Sequence, residues 1–391
     1  MLELVARLNT ALREDDVEAW LSVMDLEPEA QQQQRWWFEG VQAVPMDVRE
    51  IVPTAMLGVD PQRGQGLQMA FRHQVSGADP VPSLEYYRWD LHRAGTQEPA
   101  RIVDVRGREG ARSAYPQLWD LGEVRVQESD AVVAISTPER EQEAAELMPS
   151  LQDAARATFA EFPVKGVRRM VVTLAESDQV EQLFGESEGA YDYAGFATET
   201  QAAPQVQPDT VRDPRDPEAQ TGRIVLDIDY ALEELDYFGV LEGGSPLLRH
   251  EALHLSMLLG DLDRWGPEWA VEGAATWWEG AAETAVREDL FSWAEELMEE
   301  ENQEAAWPPG DPEEFYPEDG ELIDRHYVDA GLIFVFIQER YGQDAASAVV
   351  TGLHRLRGYA RQAQVDAVLE AQLGVPEAEL RTLWEAWVQD L

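Results

Sequence analysis

Residues 245–260 read SPLLRHEALHLSMLLG. Ser245 is a good N-cap, Pro246 suits the first helical position, and Gly260 can end a helix. The residues between these signals are mostly apolar, which is typical of a helix that is buried over most of its surface. The sequence therefore predicts one helix over this run.

Two histidines on this helix have the spacing of metal ligands. His250 and His254 are four residues apart, so both imidazoles leave the same helical face one turn apart. Two neutral imidazoles in this position can bind one zinc ion, with Glu251 beside them to reach a water molecule on the metal. An HExxH pattern arises by chance in about one in a hundred chains of this composition. The alternative is a buried helix with two structural histidines.

A third ligand is expected, because a catalytic zinc ion takes three protein ligands and leaves one position open. Glu272 follows His254 by 18 residues, in the segment GPEWAVEGAATWWEG (266–280). Pro267 marks the start of a second helix, and Gly273 lets that helix pack closely against a neighbour. The alternative for Glu272 is a solvated helix acid in a very acidic protein.

The two segments together resemble a known family. HEALH (250–254) followed by PEWAVEGAATWWE (267–279) is similar to the gluzincin clan of zinc peptidases, and the WxxEGxA setting is especially like families around the thermolysin and aminopeptidase-N folds. The resemblance implies an α+β, zincin-like domain that cleaves peptide or protein substrates with one zinc ion per chain. It also implies three zinc ligands and a general base, namely His250, His254 and Glu272, with Glu251 as the base.

The same resemblance extends to the segment HYVDAGLIFVFIQERYG (326–342). It looks like the helix on which these families carry a tyrosine that stabilises the transition state, so Tyr327 is implied as the donor to the oxyanion. His326 is a second candidate, because thermolysin-like enzymes use a histidine in this role. A plain core or surface tyrosine remains the alternative.

Three further features bear on the site. Thr276 and Glu279 share the helical face of Glu272, at i+4 and i+7, where they can support a ligand or simply face solvent. The segment GAYDYAGFAT (189–198) is our candidate for the edge strand that pairs with an extended substrate, next to RIVLDID (223–229). The GAMEN-like segment with which the aminopeptidase-N group holds a substrate amine is missing, so aminopeptidase specificity does not follow from the resemblance.

The N-terminal part reads as a separate α+β unit. A helical period begins at Leu2, and alternating strands follow around Met69 and Trp89 and in RIVDVRG (101–107). This order resembles the polyketide-cyclase-like α+β cone. We predict an accessory domain over 1–110 and a peptidase domain over 115–391, whose sheet-containing part (115–243) precedes a helical part (244–391).

Composition excludes several functions. The 76 acidic and 30 basic residues give a formal net charge of −46, which repels nucleic acid. The acids are spread along the whole chain, which favours solubility in a high-salt habitat over the recognition of a cationic substrate. The chain has no cysteine, so disulfides and thiolate zinc sites are excluded. Neither a signal peptide nor a membrane-spanning stretch is expected, and the compartment is left open.

Two other hypotheses belong to different classes. The first is a catalytically silent scaffold or partner-binding protein that retains the zinc site, for which loss of the general base would be the mark; Glu251 is present. The second makes the N-terminal domain the functional part, which requires a polar cluster inside its sheet. The apolar and aromatic alternation of its strands argues against that cluster.

Overall fold

In a computed structural model, the chain is α+β and divides into two compact units. Unit 1 comprises Met1–Met148 and Lys165–Leu232, and unit 2 comprises Pro149–Val164 and Glu233–Leu391. The predicted domain boundary at 110–115 lies outside the described residues, so the predicted domains stay a prediction. The structure describes residues 2–60, 64–93, 99–107, 116–184, 194–200, 220–260, 266–281, 283–301, 306–317, 319–356 and 361–389.

Unit 1 begins with three helices and a four-stranded antiparallel meander, whose strands pair in chain order. The predicted strands around Met69, Trp89 and 101–107 are confirmed, but sequence reasoning missed one helix and one strand. The missed helix, α3 (Pro28–Ala43), contains four consecutive glutamines in its first half, and the missed strand, β1 (Met46–Asp60), has several register shifts that interrupt its alternation. The elements are α1 (Leu2–Glu14), α2 (Val17–Leu21), α3 (Pro28–Ala43), β1 (Met46–Asp60), β2 (Gly64–Val75), β3 (Ser83–His92) and β4 (Arg101–Gly107).

A second, five-stranded sheet follows in unit 1, in the order β5-β6-β7-β9-β8. Its centre is parallel, and its outer strands β5 and β8 run antiparallel to their neighbours. Residues 195–198 of the predicted edge strand lie in β8, beside β9 as expected, while 189–193 lie outside the described residues. The elements of this stretch of the chain are α4 (Leu118–Leu121), β5 (Arg125–Glu128), β6 (Val132–Ser136), α5 (Glu141–Glu161), β7 (Met170–Ala175), α6 (Ser177–Phe184), β8 (Gly195–Thr200), β9 (Thr221–Asp227) and α7 (Ile228–Phe238). Helix α5 from Pro149 and helix α7 from Glu233 belong to unit 2.

The described part of unit 2 after Ser245 contains helices and no strand, as the sequence predicts. Helices α9 (Glu268–Gly280) and α12 (Gly320–Tyr341) cross at small residues: a Cβ added to Gly273 would lie 2.4 Å from the carbonyl oxygen of Ala330. This close approach confirms the expectation for Gly273. None of the described helices is long and apolar enough to span a membrane. The helices are α8 (Pro246–Leu259), α9 (Glu268–Gly280), α10 (Thr284–Glu301), α11 (Pro312–Phe315), α12 (Gly320–Tyr341), α13 (Gln343–His354), α14 (Gln362–Leu373) and α15 (Glu377–Val388).

Candidate metal centre

Helix α8 begins and ends where the sequence predicts. The hydroxyl oxygen of Ser245 accepts a hydrogen bond from the backbone N–H of Leu248 at 3.0 Å. Glu234, which sequence reasoning did not assign, accepts a second one from the N–H of Leu247 at 2.6 Å. Burial raises the pKa of Glu234 to about 7. Two side chains therefore satisfy the free N–H groups at the start of this helix.

The three predicted ligands converge on one point. Glu272 Oε2 lies 3.5 Å from His250 Nε2 and 3.3 Å from His254 Nε2. Ligand atoms about 2.1 Å from a tetrahedral zinc ion are separated by about 3.4 Å, so the donor set fits zinc in both chemistry and spacing. Among the described residues, no other group of three His, Asp or Glu side chains brings its ligand atoms within 4.8 Å of one another. We call these three residues the metal centre.

The electrostatics of the metal centre favour a cation. Burial acts to raise the pKa of Glu272, but His254 and His250 hold it well below its ordinary value, so this carboxylate is ionised. Burial acts to lower the pKa of His250, but Glu272 and Glu279 raise it well above its ordinary value. The carboxylates thus stabilise positive charge at this position, whether a proton or a metal ion supplies it.

Glu279 holds one of the two histidines. Its Oε1 lies 2.7 Å from His250 Nδ1, which leaves Nε2 of that ring directed at the metal centre. Second partners of this kind fix the tautomer and orientation of a ligating imidazole. Thr276, the other residue that shares this helical face, packs its methyl group against Gly331. Of the two supporting residues that the sequence offered, Glu279 is the one that contacts a predicted ligand.

The predicted general base lies beside the metal centre. Glu251 follows His250 on α8 and is 7% exposed. Its charge contributes to the raised pKa of both His250 and Tyr327. The carboxylate therefore lies within electrostatic reach of one ligand and of the predicted oxyanion donor.

Two tyrosines lie at the centre, of which the sequence indicated one. The ring of Tyr327 on α12 lies 6.2 Å from that of His250. The Tyr316 hydroxyl donates to Glu272 Oε1 at 2.8 Å and lies 3.4 Å from the Tyr327 hydroxyl. Burial and the charge of Glu272 raise the pKa of both tyrosines well above the ordinary value, so both hydroxyls keep their protons. No motif marks Tyr316, which follows a four-residue helix.

The other histidines face elsewhere. His326 donates from Nδ1 to the carbonyl oxygen of Phe315 at 2.8 Å and packs on the ring of that residue. His354 lies buried with its Nδ1 at 2.8 Å from the carbonyl oxygen of Val350, and burial lowers its pKa to about 4. His92 is exposed in unit 1. Of the two candidates on α12, the structure brings Tyr327 and not His326 next to a predicted ligand, His250.

Unit 1 contains a buried cluster of polar side chains that sequence reasoning did not expect. The Tyr87 hydroxyl lies 2.6 Å from Glu85 Oε2 and 2.7 Å from Asp120 Oδ1, while Glu85 Oε1 lies 2.8 Å from His73 Nε2. We call His73, Glu85, Tyr87 and Asp120 the acid cluster. Burial raises the pKa of Glu85 to about 7, and burial with the nearby Arg223 lowers that of His73 to about 3. The expectation that this domain lacks a polar cluster inside its sheet is therefore wrong.

Comparison with known proteins gives a distant structural likeness. No family model and no curated protein matches the chain. An M1 zinc metallopeptidase from Deinococcus radiodurans is similar to it with 13% identity and a TM-score of 0.35, over 88% of this chain and 62% of that one. A mutant of an M1 zinc metallopeptidase from this organism, bound to the substrate Tyr-Ser-Ala, is similar with 12% identity and a TM-score of 0.37. The match covers 87% of this chain and 61% of that one.

A mutant of a two-domain M1 zinc metallopeptidase bound to L-arginine gives 13% identity and a TM-score of 0.37, over 88% of this chain and 61% of that one. The chain thus spans about three fifths of the length of the solved structures it resembles. At these TM-scores the likeness carries no argument, and the case for a function rests on the residues of the metal centre.

Proposed function

We propose that the protein is a zinc-dependent peptidase that holds one zinc ion per chain through His250, His254 and Glu272. The spacing of the three donor atoms carries this proposal: distances of 3.3 and 3.5 Å match the edge of a tetrahedron around zinc. Two imidazoles and one carboxylate leave a fourth position open, which is the arrangement of catalytic rather than structural zinc sites. The distant likeness to zinc metallopeptidases adds no weight to it.

The residues around the centre have the roles that peptide hydrolysis needs. When bound, zinc lowers the pKa of water towards neutrality and polarises a carbonyl group. Glu251 accepts the proton of the attacking water and delivers it to the amine nitrogen that leaves. The Tyr327 hydroxyl donates a hydrogen bond to the carbonyl oxygen as the carbon becomes tetrahedral and negative charge develops. Glu279 keeps His250 in the tautomer whose Nε2 has a free lone pair.

The decisive experiment pairs metal analysis with a cleavage assay in high salt, on casein and on a peptide mixture. The variants are Glu251→Gln and, as a matched control, Glu295→Gln on the exposed surface of α10. We expect one zinc ion per chain in all three proteins, and cleavage that falls by about 10²–10⁴-fold in Glu251→Gln alone.

Each result separates the hypotheses. Zinc in every protein with no cleavage in any would favour the silent zinc-binding scaffold. Full cleavage by Glu251→Gln with zinc bound would remove Glu251 as the base. A wild-type protein that retains no zinc would overturn the proposal as a whole.

A further inference from the structure

The two carboxylate oxygens of Glu272 have different partners. Oε2 lies against the Nε2 atoms of His250 and His254, at 3.5 and 3.3 Å. Oε1 accepts a hydrogen bond from the hydroxyl of Tyr316 at 2.8 Å. A carboxylate can bind a metal ion through one oxygen or through both. A donor held on one oxygen favours binding through the other, because the hydrogen bond is lost when the carboxylate turns to offer both.

Tyr316 is held in place by its own turn. It follows α11, and its backbone N–H donates to the carbonyl oxygen of Pro312 at 3.0 Å. The N-terminus of α11 is capped by Asp311, whose Oδ1 accepts from the N–H of Glu313 at 2.9 Å. Tyr316 therefore extends from a capped turn, and the geometry of this turn does not depend on the Tyr316 hydroxyl.

A second set of contacts holds this turn against α12. Phe315, the residue before Tyr316, is fully buried, and its ring lies 5.3 Å from that of His326 and 5.5 Å from that of Tyr327. His326 also donates to the carbonyl oxygen of Phe315. The histidine that sequence reasoning offered as an oxyanion donor thus fixes the turn that carries Tyr316.

We infer that Tyr316 is a positioning residue for the metal ligand Glu272. Its hydroxyl keeps Oε1 away from the ion, so that Glu272 binds through Oε2 alone and the fourth position stays open for water and substrate. The inference rests on the proposed function and deepens it. It divides the two neighbouring tyrosines by role: Tyr316 acts on the ligand, and Tyr327 acts on the reacting carbonyl group.

The test measures metal binding as well as activity. Three variants each remove one hydroxyl and keep the ring: Tyr316→Phe, Tyr327→Phe and, as a control, Tyr341→Phe, whose ring packs on Phe336 near the end of α12. Zinc affinity is measured by competition with a chromophoric chelator. The coordination number is followed in cobalt(II)-substituted protein, because four-coordinate cobalt absorbs visible light more strongly than five-coordinate cobalt.

We expect Tyr316→Phe to lower zinc affinity by about 10–100-fold, as loss of a second partner of a metal ligand does. Its cobalt spectrum should weaken towards that of a five-coordinate site. Tyr327→Phe should keep both the zinc affinity and the spectrum of the wild type and lose turnover. Tyr341→Phe should match the wild type in all three measurements.

Three outcomes would overturn the inference. The first is a Tyr316→Phe protein with wild-type zinc affinity and cobalt spectrum, which leaves the proposed peptidase intact. The second is an equal loss of affinity in Tyr316→Phe and Tyr341→Phe, which indicates general damage to the fold. The third is a wild-type protein that binds no zinc, which removes the proposed function together with the inference.

Discussion

The two units bury similar side chains and use them differently. The metal centre of unit 2 combines two histidines with Glu272, and its donor atoms point at one another. The acid cluster of unit 1 combines His73 with two carboxyl groups, and its polar atoms form a chain through the Tyr87 hydroxyl. The converging donor atoms of the metal centre leave a place for an ion, whereas the contacts of the acid cluster are hydrogen bonds that need protons between their atoms.

The acid cluster and the metal centre also differ in the protons that they hold. A tyrosine hydroxyl has one hydrogen, yet the Tyr87 oxygen lies within hydrogen-bond distance of both Glu85 and Asp120. One carboxyl group must keep its proton for both contacts to be hydrogen bonds, and burial raises the pKa of both groups. At the metal centre the reverse holds, because Glu272 is ionised and the histidines can share a cation with it. Burial alone therefore does not predict charge.

The largest expected effect concerns zinc. At a zinc concentration 100 times the dissociation constant, binding stabilises the folded chain by about 2.7 kcal/mol. We expect thermal unfolding with and without zinc to show this shift in the wild type and in Glu85→Gln. His254→Ala should lose both the shift and peptide cleavage. A zinc-dependent shift that survives in His254→Ala would place the ion elsewhere.

The pH dependence of stability distinguishes the acid cluster. The unfolded chain releases the Glu85 proton near pH 4.5, whereas the folded chain keeps it to about pH 7. The free energy of unfolding that this proton contributes therefore falls as pH rises through that window, at a rate of up to about 1.4 kcal/mol per pH unit. The proton belongs to the pair Glu85 and Asp120 rather than to either residue.

Urea unfolding between about pH 4 and about pH 8, a range that includes the whole window, measures that slope. The difference in unfolding free energy between the wild type and Glu85→Gln should change with pH as stated. Glu146→Gln, an exposed substitution in the first part of α5, which belongs to unit 1, should show no such change. A difference that stays flat across the window would mean that Glu85→Gln leaves the number of protons bound on folding unchanged, so that Glu85 does not carry the shared proton.

The parts of the molecule that the sequence predicts are those set by local spacing. His250 and His254 lie on one face because a helix repeats every 3.6 residues, and Ser245 and Gly260 mark the ends of that helix. Glu272 lies on the following helix, α9, one turn after its start. Its segment is one that the family resemblance marks. These residues required no knowledge of long-range contacts.

The parts that the sequence does not predict depend on pairing between distant segments. Tyr316 reaches Glu272 across 44 positions, from a turn with no periodic pattern. In the acid cluster, Glu85 pairs across the sheet with Phe71, which brings it diagonally beside His73. Asp120 joins from α4. No spacing rule in one segment contains this information.

A smaller effect is expected from the charge that supports His250. Glu279→Gln keeps an oxygen that can accept the Nδ1 hydrogen but removes the negative charge. We expect zinc affinity to fall by about 10–100-fold, or about 1.4–2.7 kcal/mol, with Glu295→Gln as the matched control. Equal affinities in the two variants would mean that the position of the acceptor matters and its charge does not. That result would make the metal centre resemble the acid cluster in its electrostatics, because in the acid cluster a neutral carboxyl group is sufficient.

The smallest effect concerns the start of α8, on which the metal centre depends and the acid cluster does not. Ser245→Ala removes the acceptor of the Leu248 N–H, and loss of such a cap costs about 1 kcal/mol. Ser292→Ala on α10 is a suitable control, because its hydroxyl bonds a carbonyl oxygen within an exposed helix. Thermal unfolding should register the difference between the two, while the pH slope of the acid cluster stays unchanged. If Ser245→Ala is neutral, Glu234 supports the helix start alone, since its contact with the N–H of Leu247 remains.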